Sequence, residues 1–303
     1  MEEIKINVND AGQRTDKFLS KRFKTMPVSL IYKYLRTKRI KINGKKAKEN
    51  YTLCEGDLVS LYIPDEFFVK RTAEPFLILK PNLIVAYEDK NILIAEKKAG
   101  VLVHSDNNED VNTLINHIKA YLYTKGEYDP KSENSFAPSL CNRIDRNTAG
   151  LVIAAKNAVS LRIMNDIIKN REVEKIYLAA CHGMFKQKSG ELVSFLEKDS
   201  RENKVYAKKS PSANTKTAIS EYRVIEEEKS LDLSLVEVTL KTGRTHQIRA
   251  QMAECGHPLL GDGKYAINKD DKKIGYKAQA LCSYSLTFCF KTDKGELQYL
   301  NGR

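Results

Sequence analysis

Apolar residues recur along the chain at two spacings, and the spacing changes from segment to segment. Phe18, Leu19 and Phe23 suit the buried face of one helix. Ile31, Tyr34 and Leu35 share a face of a second helix, with Lys33 and Arg36 pointing away and Ser29 placed to cap it. Ile40 and Ile42 then alternate with Arg39 and Lys41, as in a half-buried strand, and Asn43-Gly44 follows as a hairpin turn. Residues 58–63 make a closing strand after the turn Glu55-Gly56-Asp57. Pro64, Pro75 and Pro81 break regular structure around residues 65–80, which read as a linker packing partly on one domain.

Beyond residue 81 the pattern becomes one of short strands with a few helices. Residues 83–87 and 92–95 form a strand pair around 88–91, and Leu114, Ile118, Tyr121 and Leu122 have helical spacing. Residues 124–139 are polar and read as a loop delivering the chain to Asp145. The apolar run 151–155, bounded by Gly150 and Lys156, reads as a buried strand. Leu161, Met164, Ile167 and Ile168 form the buried face of a helix. In the strand 173–180, period two puts Ile176, Leu178 and Ala180 on one face and Val173, Lys175, Tyr177 and Ala179 on the other. If the first face is core, Lys175 and Tyr177 point together towards a cleft. Several short strands occupy 183–230. Thr245 is placed to cap a helix whose apolar side carries Ile248 and Met252, and Gly256 and Pro258 end it.

Composition narrows the class. The 303 residues suffice for one large domain and a small one, and 42% apolar with 30% charged residues excludes wholesale disorder. No apolar run is long enough to span a bilayer, and the first residues have neither an apolar core nor a cleavage-like site. The six cysteines show no C-x-x-C pair or metal-ligand spacing, so reduced thiols and a cytoplasmic location are expected. The formal charge is +12, and it is clustered: thirteen lysines and arginines lie between residues 14 and 48 against one acid, Asp16. A basic face of that kind suits phosphates spaced along RNA, through counterion release; the alternative is a charged face serving solubility.

The candidate chemistry centres on Asp145, which stands between Arg143 and Arg146 at the mouth of the strand 151–155. Catalytic side chains tend to lie on loops held by a rigid scaffold, although an Asp there can also simply stabilise its own turn. There is no G-x-G-x-x-G after a strand, no G-x-x-x-x-G-K-[ST] and no zinc spacing, so neither cofactor nor metal is expected. His104 reads as a structural or substrate-side residue.

N-R-I-D-R-N-T-A-G-L at 142–151 resembles the H-R-L-D-x-x-T-S-G-L motif of the RluA-type pseudouridine synthases, with Asn142 at the usual His. Residues 96–104, E-K-K-A-G-V-L-V-H, resemble the family's N-K-P-x-G-x-x-V-H, with Lys98 at the proline, and Lys175-x-Tyr177 matches its K-x-Y pair. Residues 242–265 are similar to T-G-R-x-H-Q-I-R-x-H-x-x-x-x-G-H-P-x-x-G-D-x-x-Y, with Gln251 at a usual His, and the tail A-L-C-S-Y-S-L-T-F resembles a closing strand with Cys282 at another. Residues 12–64 resemble the small RNA-binding domain first seen in ribosomal protein S-four, through R14-x-D16-x-F18-L19, V28-S29-L30-I31, I40-K41-I42-N43-G44 and G56-D57-x-V59.

This resemblance implies an S-four-like α/β domain at 1–64, a linker at 65–80 and a catalytic domain at 81–303. The catalytic domain is expected to be α+β, on a mixed, mostly antiparallel sheet. The implied reaction breaks the ribose–N1 bond of uridine, turns the base and rejoins it through C5. The family's catalytic Asp maps to Asp145, its active-site Tyr to Tyr177 and its basic partner to Arg249. Arg249 would hold the carboxylate ionised and oriented. Tyr177 would stack on uracil and take the ring proton late. Arg143, Lys175, Arg244 and His246, with Lys33, Arg36, Arg39 and Lys41, are the expected RNA contacts. The domain order most resembles the RluC-like branch acting on large-subunit ribosomal RNA, with transfer RNA as the alternative substrate and a monomer as the default state. Two rivals remain: a non-catalytic RNA-binding assembly factor, and an RNA hydrolase using Asp145 with His104 or His246.

Overall fold

The computed structural model describes residues 1–68, 74–106, 109–199 and 201–303. Its first sheet is built from β1 (Glu2–Lys5), β2 (Ile40–Ile42), β3 (Lys45–Lys46) and β4 (Leu58–Leu61), in the order β1-β4-β2-β3 and antiparallel throughout. Two helices, α1 (Thr15–Arg22) and α2 (Val28–Arg36), cover it. Phe18 and Leu19 of α1 and Ile31 and Leu35 of α2 pack with Ile4, Ile40, Ile42, Val59 and Leu61 in one core. Asn43 and Gly44 both have positive φ, 51° and 75°, as a type I′ hairpin turn requires.

Two local expectations fail here. Ser29 does not cap α2; Pro27 is the N-cap, with no side-chain cap hydrogen bond, and Ser29 lies within the first turn. The pattern Glu2–Lys5 was also not anticipated as a strand, yet it pairs along β4 from Glu2↔Leu61 to Lys5↔Leu58. Of the expected linker, residues 69–73 lie outside the described residues. Asp65–Phe68 and Pro75–Ile78 are single turns of 3-10 helix, and Phe76 is buried against Tyr123 and Tyr128.

The second sheet contains β5 (Ile84–Glu88), β6 (Ile92–Lys97), β7 (Ser139–Leu140), β8 (Ala149–Ala155), β9 (Val173–His182), β10 (Ser189–Asp199), β11 (Lys204–Lys208), β12 (Thr215–Glu228), β13 (Leu233–Leu240) and β14 (Leu281–Phe288). Its order is β11-β10-β12-β13-β9-β14-β8-β6-β5, with β7 pairing on β8. Among the described residues every pairing is antiparallel except β14 with β8. This is the expected α+β architecture on a mixed, mostly antiparallel sheet.

The helices explain why two strands read as unbroken apolar runs. Helix α3 (Leu114–Thr124) packs on Leu93, Ala95, Val152 and Ala154, while α4 (Ala158–Lys169) packs with Ile92, Ile94 and Ile153. Alternate residues of β6 and β8 therefore feed two cores on opposite faces, and neither face has room for polar residues. A third core lies under α5 (Gln247–Glu254), whose Ile248 and Met252 meet Tyr177, Ala179, Cys181, Val236 and Val238. That reverses the conditional reading of β9. The face carrying Tyr177, Ala179 and Cys181 is the buried one, because α5 covers it; Ile176, Leu178 and Ala180 are half-buried. The short α6 (Lys269–Lys273) precedes β14.

The two sheets meet along a polar seam. Asp10 is fully buried, and its carboxylate accepts from Ser135 Oγ and Asn134 Nδ2, both at 2.6 Å. Asn9 donates to Glu133 at 2.6 Å and accepts from the Ala158 N–H at 3.0 Å, and Arg162 donates to the Ala11 carbonyl at 3.1 Å.

The parallel pair sets the most demanding contact in the fold. Gly150 of β8 lies opposite Ser283 of β14, with φ at +107°. A Cβ placed there would lie 2.2 Å from the Ser283 carbonyl oxygen. Gly150→Ala should therefore destabilise the protein by roughly 3 kcal/mol or more, as expected for a forced left-handed residue with a backbone clash. Urea denaturation checks this; a midpoint equal to that of the wild type would contradict it.

Candidate active site

The loop 141–148 is held before it carries any chemistry. Cys141 N–H bonds to the Ile153 carbonyl and Asn142 Oδ1 accepts the Ile153 N–H, both at 2.8 Å, so the chain enters along β8. The Thr148 N–H closes a turn onto the Asp145 carbonyl at 3.1 Å. On the other side, Lys97 is buried with its ammonium donating to the carbonyls of Lys98, Val101 and Arg146 at 2.7–3.0 Å. Burial pushes that ammonium down to about 8, although the Asp145 charge acts in the opposite direction. Gly100 and Arg146 complete the clamp: Gly100 N–H donates to the Arg146 carbonyl, and Arg146 Nε to the Gly100 carbonyl, each at 3.0 Å.

Opposite the loop stands the start of α5. The turn 242–247 is organised by Gln247, whose Oε1 accepts from Thr242 Oγ1 at 2.8 Å and the Arg244 N–H at 3.0 Å. Its Nε2 donates to the Ile219 carbonyl and Ser220 Oγ. Thr245 does not cap the helix; His246 is the N-cap residue, in the left-handed region at φ 52°. Left-handed His is uncommon and costs backbone strain, of the kind found at functional sites.

Arg249 then joins two carboxylates. Its Nε and Nη2 donate to Asp262 at 2.7 and 2.9 Å, and its Nη1 donates to Asp145 Oδ2 at 3.0 Å. Burial opposes the guanidinium charge, but Asp262 and Asp145 more than offset it and raise its affinity for the proton. Asp262 is 1% exposed in its side chain and Asp145 is 28% exposed, so the arginine bridges an internal acid to one that solvent reaches. His246 Nε2 lies 3.7 Å from the same Asp145 oxygen. Burial lowers the imidazole's affinity for a second proton, with Asp145 acting against this. Tyr265 bonds to His246 Nδ1 at 2.9 Å, and the Arg249 guanidinium lies 5.1 Å from its ring centroid.

Sheet register brings Tyr177 to this group. Ser283 pairs with Gly150 on one side and with Tyr177 on the other. Tyr177 thus stands two strands from the end of the Asp145 loop, about 10 Å at the usual strand spacing. Burial pushes its phenol up to about 12, and the Asp145 charge acts in the same direction.

Asp145, Arg249 and His246 are in one cluster, with Tyr177 beside it. Arg143 is exposed and makes no hydrogen bond among the described residues; Arg244 is exposed and donates to the Thr217 carbonyl at 3.0 Å. Lys175 shares the face of Tyr177 but has no ion-pair partner among the described residues, and burial lowers its ammonium. Lys33, Arg36 and Arg39 are exposed around the first sheet, and Lys41 lies 5.1 Å over the Tyr62 ring. None of these four contacts the Asp145 cluster. His104 is exposed. Asp262, Tyr265 and the buried role of Lys97 were not singled out from sequence. The signal for the first two was the G-D-x-x-Y pattern at 261–265, where an acid between glycines follows a basic helix.

The family departures have local explanations. Asn142 holds the entry to β8. Gln251 is buried, accepting from Ser220 Oγ and donating towards Leu192, Ser194 and Ala218, so it ties α5 to β10 and β12. Lys98 is exposed, and Cys282 is half-buried opposite Ala149. Among the described residues no cluster of His, Cys, Asp or Glu is arranged to hold a metal, and no helix is long and apolar enough to cross a membrane.

The pattern of the family described as RNA pseudouridylate synthase matches residues 91–254. An uncharacterized RNA pseudouridine synthase of Mycoplasma capricolum is 34% identical over all of this chain and 96% of its own. Ribosomal large subunit pseudouridine synthase C of Buchnera aphidicola subsp. Baizongia pistaciae is 32% identical over 90% of this chain and 84% of its own. Among solved structures, human RNA Pseudouridylate Synthase Domain Containing 1 has a similar fold, with a TM-score of 0.57 and 22% identity over 70% of this chain and 81% of that one.

The unequal burial of the two carboxylates makes a prediction. Asp262→Asn should destabilise the fold by about 3 kcal/mol, because it leaves a buried guanidinium short of its counter-charge. Asp145→Asn, at a partly solvated position, should change the thermal midpoint far less. Paired melts of the two variants decide it; equal losses would contradict the assignment of Asp262 as the anchor.

Proposed function

The chain belongs to the RluA-type RNA pseudouridine synthase family, and on that footing we propose that it isomerises uridines of large-subunit ribosomal RNA with Asp145 as the catalytic carboxylate. The enzyme is an isomerase acting on RNA. In its reaction the N1–C1′ bond breaks, a C5–C1′ bond forms, a proton leaves C5 and one arrives on N1. The one observation that carries the residue assignment is the 3.0 Å contact from Arg249 to a carboxylate that solvent can reach. Asp145 acts as nucleophile or base on the nucleoside, either at the base or at the sugar. Arg249 orients it. Tyr177 presents its ring to the uracil and receives the C5 proton; burial keeps it a phenol at neutral pH, so it must give up its own proton first. Arg143, Lys175, Arg244 and His246 take up the RNA around the base, and Arg143 is free to engage the backbone or fill the gap left by an extruded base.

Substrate choice follows from two further features. Relatives of comparable length are named for the large ribosomal subunit. Residues 1–64 have their own sheet and core, and they read as the S-four-like RNA-binding domain. Lys33, Arg36, Arg39 and Lys41 would meet phosphates there. In this reading residues 65–80 are the linker and 81–303 the synthase domain, acting as a monomer. Six free cysteines fit a cytoplasmic setting.

The test is pseudouridine mapping on ribosomal RNA incubated with the wild type or with Asp145→Asn. New modified positions should appear with the wild type alone. Asp145→Asn should still bind RNA while losing at least about 10³-fold in rate. Substantial product from the variant would sink the assignment. Absence of modification on both ribosomal and transfer RNA, with tight binding kept, would favour the assembly-factor reading. Cut RNA would favour the hydrolase.

A further inference from the structure

We propose that Tyr265 locks His246 as the Nε2–H tautomer, so that His246 and Arg249 both serve Asp145 Oδ2 and leave Oδ1 as the reacting oxygen. This rests on the reading of Asp145 as the catalytic carboxylate.

The assignment comes from counting protons. Tyr265 Oη accepts the Val205 backbone N–H at 3.0 Å, and an amide N–H can only donate. The phenol has a single proton of its own. His246 Nδ1, at 2.9 Å, is the acceptor available to it among the described contacts. A neutral imidazole carries one N–H, so accepting at Nδ1 places the proton on Nε2. Nε2 is the nitrogen that faces Asp145 Oδ2, at 3.7 Å. The opposite tautomer would leave the Tyr265 proton without a protein acceptor among the described residues and aim an imidazole lone pair at a carboxylate. Burial of the imidazole supports the neutral form.

The surroundings are built to keep this arrangement. His246 is 10% exposed in its side chain and caps no backbone group of α5, although it occupies the N-cap position. Its left-handed backbone is therefore not explained by helix capping. Tyr265 stands edge-on to the imidazole, at 89° and 5.8 Å between ring centres, and the Arg249 guanidinium lies against the same ring. The 3.7 Å separation is longer than a hydrogen bond; such contacts are often long before substrate binds and tighten with it.

The two donors approach one oxygen. Arg249 Nη1 and His246 Nε2 are both directed at Oδ2, and among the described residues no hydrogen bond is made to Oδ1. When Oδ1 bonds to C1′ the N1–C1′ bond breaks and its pair leaves with the uracil, and when Oδ1 adds at C6 the C5–C6 double bond opens; either way Oδ2 becomes the carbonyl oxygen of the ester. When the Oδ1–carbon bond breaks, the electron pair returns to the carboxylate between the same two donors. If Asp145 acts instead as a base, Oδ1 takes the proton. No proton passes through His246 in either case, so His246 and Tyr265 are positioning residues.

The tautomer is read directly by long-range 15N–1H correlation on the full chain with labelled histidine, His246 being assigned by its loss in His246→Gln. The wild type should show Nε2–H, and Tyr265→Phe should show a mixture. In single-turnover assays, His246→Asn suits the left-handed backbone but its amide reaches only the Nδ1 position. It should lower the rate at saturating RNA by about 10²-fold. His246→Gln, whose amide reaches the Nε2 position, should recover most of that loss. An Nδ1–H tautomer in the wild type, or the wild-type rate in His246→Asn, would overturn the proposal even if Asp145→Asn is inactive. Activity in Asp145→Asn would instead remove the reading on which it rests.

Discussion

A guanidinium withdrawn from water has to find oxygen for its donors, and that requirement organises this protein. Arg249 meets it with two bonds to buried Asp262 and one to Asp145. The fork geometry matters, since lysine would offer a point charge without a fixed direction. Asp262 is itself fixed, accepting the Lys264 N–H at 3.1 Å and lying next to Gly261, where a Cβ would be 2.2 Å from the Ala278 carbonyl oxygen. The position of Asp145 therefore depends on a chain of contacts running back to the approach to β14. Buried ion pairs are weak sources of net stability. Their value here lies in the direction given to the Asp145 carboxylate.

The sheet places that group at its own discontinuity. Strands β11 to β9 form one antiparallel block and β8 to β5 another, and β14 joins them, antiparallel to β9 and parallel to β8. The loop 141–148 closes the antiparallel pair of β7 with β8, so one of its ends is tied along β8. The clamp from Lys97 and Gly100 holds its middle at Arg146. Gly150 lets the two strands approach, and Ser283 carries the register across to Tyr177.

Much of this was legible in the chain. The apolar run at 151–155 marked a buried strand, 92–95 marked one strand of a pair, and Asn43-Gly44 marked a hairpin. The motif resemblance pointed to Asp145, Tyr177 and Arg249, and these residues lie together. What failed had physical causes. Period two separates the faces of β9 but cannot tell which one a helix from seventy residues later will cover, so Tyr177 was placed on the wrong side of the core boundary. The caps at Ser29 and Thr245 were inferred from residue type, whereas Pro27 and the side chain of Gln247 organise those turns. Asp262 and Tyr265 could not be given roles from spacing alone, because their partners Arg249 and His246 come from a different element. The strand β1 was hidden by its length: four residues with one buried side chain carry little periodicity.

Charge at the centre has the opposite sign to charge at the rim. Asp145 and Asp262 against Arg249, with His246 neutral, leave one net negative charge in the cluster. Around it the exposed Arg143, Arg146 and Arg244 are all cationic. At the middle, a phosphate drawn to those arginines would face the Asp145 carboxylate and be repelled. A neutral ring bears no such cost. With Asp145 in its proposed role, such an arrangement would act as an electrostatic sieve that favours the uncharged part of a nucleotide over its phosphate.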